Sequence, residues 1–465
     1  MERDEERERA VRAAAAGALA EDEARMLERR ALEAVADLAL VPPPLRMFPD
    51  PERYGSKNER WAMNNGVALT PNGRIWASWV GGGDSPDAYT VCAFSDTGGE
   101  TWTIPALAVD GHDPARLPFP RANIIANLWT DPSGRLHLFF SQSMWHNDGR
   151  MGVWETVCAN PDSARPEWLP PRRLCDGAAL NKPIVAGDGA WLLPVEHPRT
   201  WGPWTGLFGT SPCHSWASVL ASDDGGRKWV LRGKVEVPNS DWPENLLVES
   251  RGSLRMFMRT CAGLREASSE DGGRTWSAVA RPKGMDNPCA RCQVRRLSSG
   301  NWLFVKHLSP PDSFNENLRI GIVAYLSRDE GETWEGGLVL DDRPATTYPD
   351  VEEGPDGRIY VTHDFERGGA GEIILHIFSE GDVLARRFAS PSSRRGLLVM
   401  KAMGTERNRR ARRAAAQPGP EPFPGVAPKL PVKAGAAVVV VGELGDAQRH
   451  EFAERCRRGA RNAPA

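Results

Sequence analysis

Residues 222–229 read Ser-Asp-Asp-Gly-Gly-Arg-Lys-Trp, and the pattern Ser-x-Asp-x-Gly-x-(Thr/Lys)-Trp returns at residues 269–276 and 327–334. A looser copy at residues 95–102 has Thr97 in place of the aspartate. Serine and aspartate side chains accept hydrogen bonds from nearby backbone N–H groups, and glycine tolerates the positive φ of a tight turn. Each copy therefore predicts a β-hairpin, and this hairpin recurs along the chain.

A second series of turns alternates with the first. In each, a glycine precedes a short apolar strand, as in PNGRIWASW at residues 71–79 and PDGRIYVTH at residues 355–363. The turn glycines, 48 to 63 residues apart, are Gly73, Gly134, Gly189, Gly252, Gly300 and Gly357. Two hairpins per repeat make four strands, which is one blade of a β-propeller. The sequence predicts an all-β, six-bladed β-propeller.

Composition favours the same fold class. The 465 residues include 46 glycines and 38 prolines, and 17 tryptophans against 5 tyrosines. Many turn residues combined with many strand-forming aromatic residues argue against a helical bundle and against a doubly wound α/β fold.

The propeller pattern predicts a domain at residues 55–390, with a different sequence texture on either side. Residues 1–43 form a predicted helical extension, rich in Ala, Glu, Arg and Leu, that stops at three prolines. The helix could bind a partner or mediate dimerisation, but we favour a helix that packs on the main domain or a flexible extension. Residues 391–465, a low-complexity segment with 15 Lys and Arg against 6 Asp and Glu, are predicted to be a largely disordered tail. Such a tail can hold nucleic acid, but we interpret it as solvated and predict no nucleic-acid partner.

The cysteines and the apolar segments exclude several classes of function. Eight cysteines are scattered, and the single Cys289-Ala-Arg-Cys292 motif is weak evidence for zinc, so no metal or cofactor is predicted. No apolar run is long enough to span a membrane, and the acidic N-terminus does not resemble a signal peptide. We therefore expect a cytoplasmic protein without a membrane partner; the sequence leaves its oligomeric state open.

The Ser-x-Asp-x-Gly-x-Thr-Trp copies resemble the Asp-boxes, or BNR repeats, of the sialidase (neuraminidase) superfamily. In that family the boxes are structural hairpins remote from the active site, so they identify a sialidase-like fold and not an activity. The resemblance implies an exo-acting glycoside hydrolase with an arginine triad that holds a sugar carboxylate. It also implies a tyrosine nucleophile paired with a glutamate that takes its proton, and an aspartate that acts as the general acid.

Four positions match the family's site in order along the chain. Glu244 resembles the base that takes the tyrosine proton, and Tyr348 resembles the nucleophile. Arg259 and Arg319 resemble the second and third arginines of the triad. An arginine fork meets a carboxylate with two parallel charge-assisted bonds, and a neutral nucleophile is not repelled by that carboxylate.

Two positions depart from the family's pattern. Met63 stands at the first arginine, and Arg60 is the predicted substitute. Asn123 stands near the place of the acid, where we expect it to contact substrate, because an amide cannot donate a catalytic proton. Asp110 and Asp113 are available replacements, and Asp113 is the predicted acid.

The predicted function is hydrolysis of a terminal sugar, expected to be acidic, with a carbohydrate as the substrate partner. The alternative is a non-catalytic propeller that binds glycan or protein and has lost the acid and the first arginine. Exposed tryptophans such as Trp201 and Trp204 would then contribute to binding.

Overall fold

The computed structural model describes residues 26–404, except 114, 116, 118–119, 201, 203 and 310–318. The predictions for the start of the N-terminal helix, for Trp201 and for the tail from residue 405 onward lie outside the described residues.

The described chain is built from six antiparallel sheets, which are the six predicted blades. The strands of the first three blades are β1 (Leu45–Met47), β2 (Met63–Leu69), β3 (Ile75–Gly81), β4 (Tyr89–Ser95), β5 (Thr103–Val109), β6 (Arg121–Thr130), β7 (Leu136–Met144), β8 (Asp148–Cys158), β9 (Arg172–Asp176), β10 (Ile184–Val185), β11 (Trp191–His197), β12 (Trp216–Ser222) and β13 (Val230–Glu236). Those of the last three are β14 (Leu246–Ser250), β15 (Ser253–Thr260), β16 (Gly263–Ser269), β17 (Gln293–Arg296), β18 (Trp302–His307), β19 (Ile320–Ser327), β20 (Glu335–Pro344), β21 (Thr346–Glu353), β22 (Ile359–Phe365), β23 (Glu372–Phe378) and β24 (Arg394–Lys401). Short helices occupy residues 26–36 (α1), Asp37–Leu40 (a 3-10 turn), Pro51–Tyr54 (α2) and Glu380–Ala385 (α3).

The series of glycine turns is confirmed, and the Asp-box copies at residues 95–102, 222–229 and 327–334 join the third and fourth strands of their blades. After the copy at residues 269–276 an isolated bridge between Glu266 and Ala280 stands in place of a fourth strand, so this blade has three strands. Each turn glycine joins the first two strands of a blade, as Gly73 does between β2 and β3. In the Asp-box between β12 and β13, Ser222 Oγ accepts a hydrogen bond from Gly226 N at 2.9 Å. The looser copy at residues 95–102 keeps the corresponding hydrogen bond, because Thr97 Oγ1 accepts from Thr101 N at 2.8 Å, where the aspartate oxygen accepts in a full box.

The ring closes around a buried carboxylate. Strand β2 contacts both β21 and β6, so the first blade lies between the last and the second. Asp350 of β21 accepts from Arg291 Nη2 at 2.7 Å, from Lys182 Nζ at 2.6 Å and from Val67 N at 2.8 Å. Because these donors come from three other parts of the ring and all are buried, this network ties the blades together beneath Tyr348.

The described part of the N-terminal helix packs on the propeller, which is one of the two arrangements that the sequence left open. Ala36 and Ala39 lie in an apolar cluster with Met144 and Trp204. Trp204 Nε1 donates to Leu32 O at 2.6 Å. The prediction of Trp204 as an exposed binding residue is wrong, because this helix covers it completely.

The propeller extends beyond residue 390, where the sequence predicted the tail to begin. Strand β24 pairs with β23 and completes the last blade up to Lys401. Strand β24 begins with two arginines, so the sequence did not indicate a strand there. Without β24 the edge of β23 would be unpaired. At the other end, β1 lies before residue 55 and adds a fifth strand to the first blade. In the part of the chain that is described, no helix is long and apolar enough to cross a membrane.

Candidate active site

The candidate residues lie on one face of the propeller. In a four-stranded meander, both hairpin turns lie on one side of the blade, and the loop between the second and third strands lies on the other side with the connections between blades. Arg259 ends β15, and Glu244 lies in the connection before β14. The face that carries the Asp-boxes is therefore the opposite one.

Tyr348 and Glu244 form the centre of the site, although 104 residues separate them in sequence. The Tyr348 hydroxyl donates to Glu244 Oε1. Arg259 Nη1 donates to the same oxygen at 2.5 Å and lies 3.3 Å from the Tyr348 hydroxyl. Glu244 is 3% exposed and Tyr348 is 8% exposed, so this polar cluster is largely withdrawn from solvent.

Both residues adopt unusual backbone conformations. The φ of Glu244 is +43° and that of Tyr348 is +54°, in the left-handed region that non-glycine residues rarely occupy. Asn64 Nδ2 donates to Tyr348 O at 2.8 Å and holds this backbone from the neighbouring blade. Such strain persists only where the surroundings enforce it, and it concentrates at functional sites.

The electrostatics keep Tyr348 protonated. Burial and the negative charge of Glu244 raise the pKa of Tyr348, and the positive charges of Arg259, Arg367 and Arg319 only partly offset them. A phenol in this state is a weak nucleophile unless a base takes its proton as it reacts. The hydrogen-bonded carboxylate of Glu244 is placed to do so.

A second buried carboxylate lies nearby. Burial and the charge of Glu244 raise the pKa of Glu196 to about 8. Glu196 Oε2 accepts from Asn245 N at 3.2 Å. Glu196 is therefore mostly protonated at neutral pH.

Arg319 is a second arginine close to the Tyr348 ring. Its Nη2 donates to Cys289 O at 2.9 Å, its Nη1 donates to Thr347 Oγ1 at 3.1 Å, and its guanidinium lies 5.9 Å from the centre of the Tyr348 ring. These bonds orient a buried cation beside the predicted nucleophile.

Arg367 is a site residue that sequence reasoning missed. Its guanidinium lies 4.0 Å from the centre of the Tyr348 ring, and its Nε contacts both carboxylate oxygens of Asp364 at 3.2 Å. A positional signal existed: Arg367 follows β22, the second strand of its blade, just as Arg259 ends the second strand of another.

Met63 and Arg60 are the two residues that the sequence places at and near the family's first arginine. Met63 is buried in an apolar cluster with Tyr348, so the position of the family's first arginine carries no charge. Arg60 is exposed in the segment before β2, whereas the guanidinium that lies over the Tyr348 ring belongs to Arg367.

The residues predicted around the acid lie at the start of the second blade. Asn123 is fully buried, and its Oδ1 accepts from Gly111 N at 2.5 Å while its Nδ2 donates to Gln142 Oε1 at 3.2 Å. The carboxylate of Asp110 accepts from Tyr54 Oη at 2.7 Å. Asp113 accepts from the backbone N–H of Ala115 at 3.3 Å.

A different aspartate is electrostatically coupled to the arginines. Asp84 lies in the loop between β3 and β4, after three consecutive glycines, and His146 Nε2 lies 3.1 Å from its Oδ1. Partial desolvation by the surrounding protein opposes its ionisation, but the hydrogen bond with His146 and the charges of His146, Arg367 and Arg259 outweigh this effect and lower the pKa of Asp84. Its side chain remains 56% exposed, so it can meet a ligand. Sequence reasoning missed it, although the glycine run marks an unusual loop.

Among the described residues, no group of three or more His, Cys, Asp or Glu side chains could hold a metal ion. The Cys-x-x-Cys motif does not form a pair, because Cys292 packs in an apolar cluster while Cys289 Sγ lies 3.4 Å from Arg259 Nε.

Comparison with known proteins identifies the family. Residues 73–361 match the family described as the BNR repeat-like domain. The chain belongs to this family. Over 196 residues it is 24% identical to a sialidase of Clostridium perfringens, a match that covers 40% of this chain and about half, 48%, of that relative.

Solved structures agree on the fold. A Hadza microbial sialidase superposes with a TM-score of 0.56 at 15% identity, over 71% of this chain and 68% of that one. The intramolecular trans-sialidase of Ruminococcus gnavus superposes with a TM-score of 0.52 at 13% identity, over 74% of this chain and 98% of that one. This BNR-repeat protein therefore has the six-bladed propeller of the sialidase-like superfamily.

Proposed function

We propose that this protein is a retaining exo-glycosidase that hydrolyses a terminal acidic sugar, of which a sialoside is the leading candidate. One observation carries the proposal: the hydroxyl of Tyr348, the carboxylate of Glu244 and the guanidinium of Arg259 meet within hydrogen-bonding distance on one face of the propeller.

Recognition would depend on the guanidinium groups. Arg259, Arg319 and Arg367 surround the Tyr348 ring from different blades. Each can present parallel N–H donors to a carboxylate, and each keeps its charge at any working pH. Three cations around one largely buried phenol favour an anionic ligand.

The chemical step would follow from the Tyr348–Glu244 pair. The Tyr348 oxygen forms a bond to the anomeric carbon as its proton passes to Glu244, and the bond to the departing oxygen breaks. A carboxylic acid protonates that oxygen. Water then loses a proton to the conjugate base of that acid and attacks the anomeric carbon from the opposite face, and the bond to the Tyr348 oxygen breaks as Glu244 returns its proton. Two inversions therefore retain the configuration.

Asp84 is the acid that we favour over Asp113, the acid predicted from the sequence. Desolvation opposes ionisation of Asp84, but in the empty site the hydrogen bond and charge of His146 lower its pKa most, and the charges of Arg367 and Arg259 lower it further. A bound sugar carboxylate would neutralise part of the arginine charge and so raise the pKa of Asp84 towards the range in which it can donate a proton. Substrate binding would thereby favour the protonated form of Asp84, which is the form that acts as the acid.

The relatives support the substrate class. The relative from Clostridium perfringens is a sialidase, and the trans-sialidase of Ruminococcus gnavus was solved in complex with oseltamivir carboxylate, an acidic ligand.

A non-catalytic glycan-binding propeller is the second candidate. It is favoured by Met63 and Asn123, which replace the family's first arginine and stand near the place of its acid. The same cations would then bind an acidic sugar without cleaving it.

A panel of aryl glycosides that includes sialosides, uronides and neutral sugars tests the proposal beside Tyr348→Phe. We expect cleavage of an acidic member by the wild type and a loss of at least about 100-fold in kcat for the variant, because the covalent route is removed. If no member of the panel is hydrolysed but an acidic glycan binds saturably, the proposed enzymatic function is refuted and the glycan-binding function is supported.

A further inference from the structure

Two cysteines lie beside the candidate site, in loops of different blades. Cys289 precedes β17, and Cys261 follows β15 in the turn that leads to β16. Their sulfur atoms are 3.8 Å apart and share a hydrogen bond. Both are free thiols; Cys289 is 5% exposed and Cys261 is partly exposed.

The structure pairs these two cysteines in place of the pair that the sequence motif suggests. Cys292 packs with Phe257, Met285 and Trp302, and burial raises the pKa of its thiol to about 12. Cys292 is therefore an inert core residue, and the neighbour of Cys289 is Cys261.

The environment of Cys289 favours a thiolate. The hydrogen bond with Cys261 lowers the pKa of Cys289, burial opposes this, and the charges of Arg259 and Arg319 lower it further. Arg259 Nε lies 3.4 Å from the sulfur atom, and Arg319 donates to the backbone oxygen of the same residue. Reactive cysteines are found in electropositive surroundings of this kind.

We propose that Cys289 is a site of oxidation by hydroperoxides and that Cys261 resolves the oxidised sulfur to a disulfide. The Cys289 thiolate attacks the peroxide, forming an S–O bond as the O–O bond breaks, and the displaced oxygen takes a proton and leaves as water or an alcohol. The Cys261 sulfur then attacks Cys289, loses its proton, and expels hydroxide as water. The two sulfur atoms together lose two electrons, and the peroxide gains them.

The disulfide would change the neighbouring arginine. Arg259 Nε loses an anionic sulfur acceptor, since a disulfide sulfur is neutral and accepts hydrogen bonds weakly. The expected consequence is weaker holding of a sugar carboxylate, and this part alone rests on the proposed function.

Peptide mapping of the full chain tests the inference. After treatment with near-stoichiometric hydrogen peroxide at pH 6, we expect a Cys261–Cys289 cross-link that dithiothreitol reverses. It should form at least about ten times faster than any adduct at the exposed Cys213, because an ordinary thiol is almost wholly protonated at that pH. A cross-link that is absent, or a Cys213 adduct that forms first, would overturn the inference.

Matched variants identify the order of the steps. In Cys261→Ser the sulfenic acid on Cys289 should persist and be trapped by dimedone, whereas in Cys213→Ser the cross-link should form as in the wild type. Absence of the trapped adduct in a folded Cys261→Ser protein would contradict the assignment of Cys289 as the attacking thiol. If this variant does not fold, peptide mapping of the wild type still decides whether the cross-link forms.

The failure of this inference is distinguishable from failure of the proposed function. If the cross-link forms but no glycoside is hydrolysed, the oxidation site is supported and the proposed glycosidase function is refuted. If glycosides are hydrolysed and peroxide changes neither the rate nor the two thiols, the proposed function is supported and the oxidation site is refuted.

Discussion

Replacing Arg367 by lysine tests whether this arginine takes the place of the family's first one, as we propose. The substitution keeps the positive charge but removes the fork that meets a carboxylate with parallel bonds. Arg367 is anchored by Asp364 at 3.2 Å and lies 4.0 Å over the Tyr348 ring, so its orientation is fixed before a ligand arrives. We expect the variant to bind an acidic sugar more weakly.

The magnitude follows from the bonds at stake. A hydrogen bond to a charged group contributes about 1.5–3 kcal/mol, and each ~1.36 kcal/mol is a factor of ten. We therefore expect a rise of about 10- to 150-fold in the inhibition constant of the free acidic sugar, with an equal fall in kcat/KM. Arg60→Lys is the matched control, and its change should stay below about threefold, because Arg60 is exposed before β2.

Steady-state kinetics and inhibition by the free sugar give the answer. An unchanged inhibition constant with a lower kcat would mean that Arg367 only positions Tyr348 and does not hold the carboxylate. A loss in Arg60→Lys as large as that in Arg367→Lys would restore Arg60 as the substitute and refute the reasoning.

Three further predictions concern the acid, the central network and pH. Asp84→Asn should lower kcat/KM by about 10²- to 10⁴-fold for alkyl glycosides but far less for aryl glycosides with good leaving groups, and equal losses on both would contradict its role as the acid. Asp350→Asn removes the carboxylate that the buried Arg291 and Lys182 share, although Lys182 keeps Glu352 at 3.2 Å, and should lower the free energy of unfolding in urea by about 3–5 kcal/mol, whereas the exposed Asp356→Asn should cost less than about 1 kcal/mol. A loss below about 1 kcal/mol for Asp350→Asn would show that the network does not hold the blades. Burial opposes protonation of His137, but hydrogen bonds with Asp131 and a buried glutamate raise its pKa above the ordinary ~6.5. The stability it adds is fully present below that value and is lost as pH rises through the raised pKa, so the stability gap to His137→Gln should shrink between about pH 6 and pH 9. A gap that grows with pH would contradict this.

Much of the fold could be predicted because its signals are local. An Asp-box closes its hydrogen bonds within eight residues, as Ser222 and Gly226 do, and a turn glycine is followed at once by its strand. Strand β24 has neither signal. It is defined by the edge of β23 that it covers, which no stretch of sequence reveals.

The candidate site was only partly accessible from sequence. Glu244, Arg259 and Tyr348 could be placed by resemblance, and the structure brings them together, while their catalytic roles stay predictions. Arg367 and Asp84 were missed because their importance lies in contacts and charges that cross between blades.

The pairing of Cys261 with Cys289 was missed for the same reason. The nearer cysteine in sequence, Cys292, turns into the core instead. Spacing along the chain predicts hairpins well, but it does not predict which loops of a closed ring face each other.

Trapping of the covalent intermediate tests the proposed catalytic role of Tyr348 most directly. A fluorinated sialosyl fluoride supplies a good leaving group, and its ring fluorine slows hydrolysis of the glycosyl-enzyme. Mass spectrometry of the digested protein should find the sugar on the peptide that carries Tyr348, and Tyr348→Phe should carry none. Saturable binding without an adduct, or an adduct on another residue, would contradict this role.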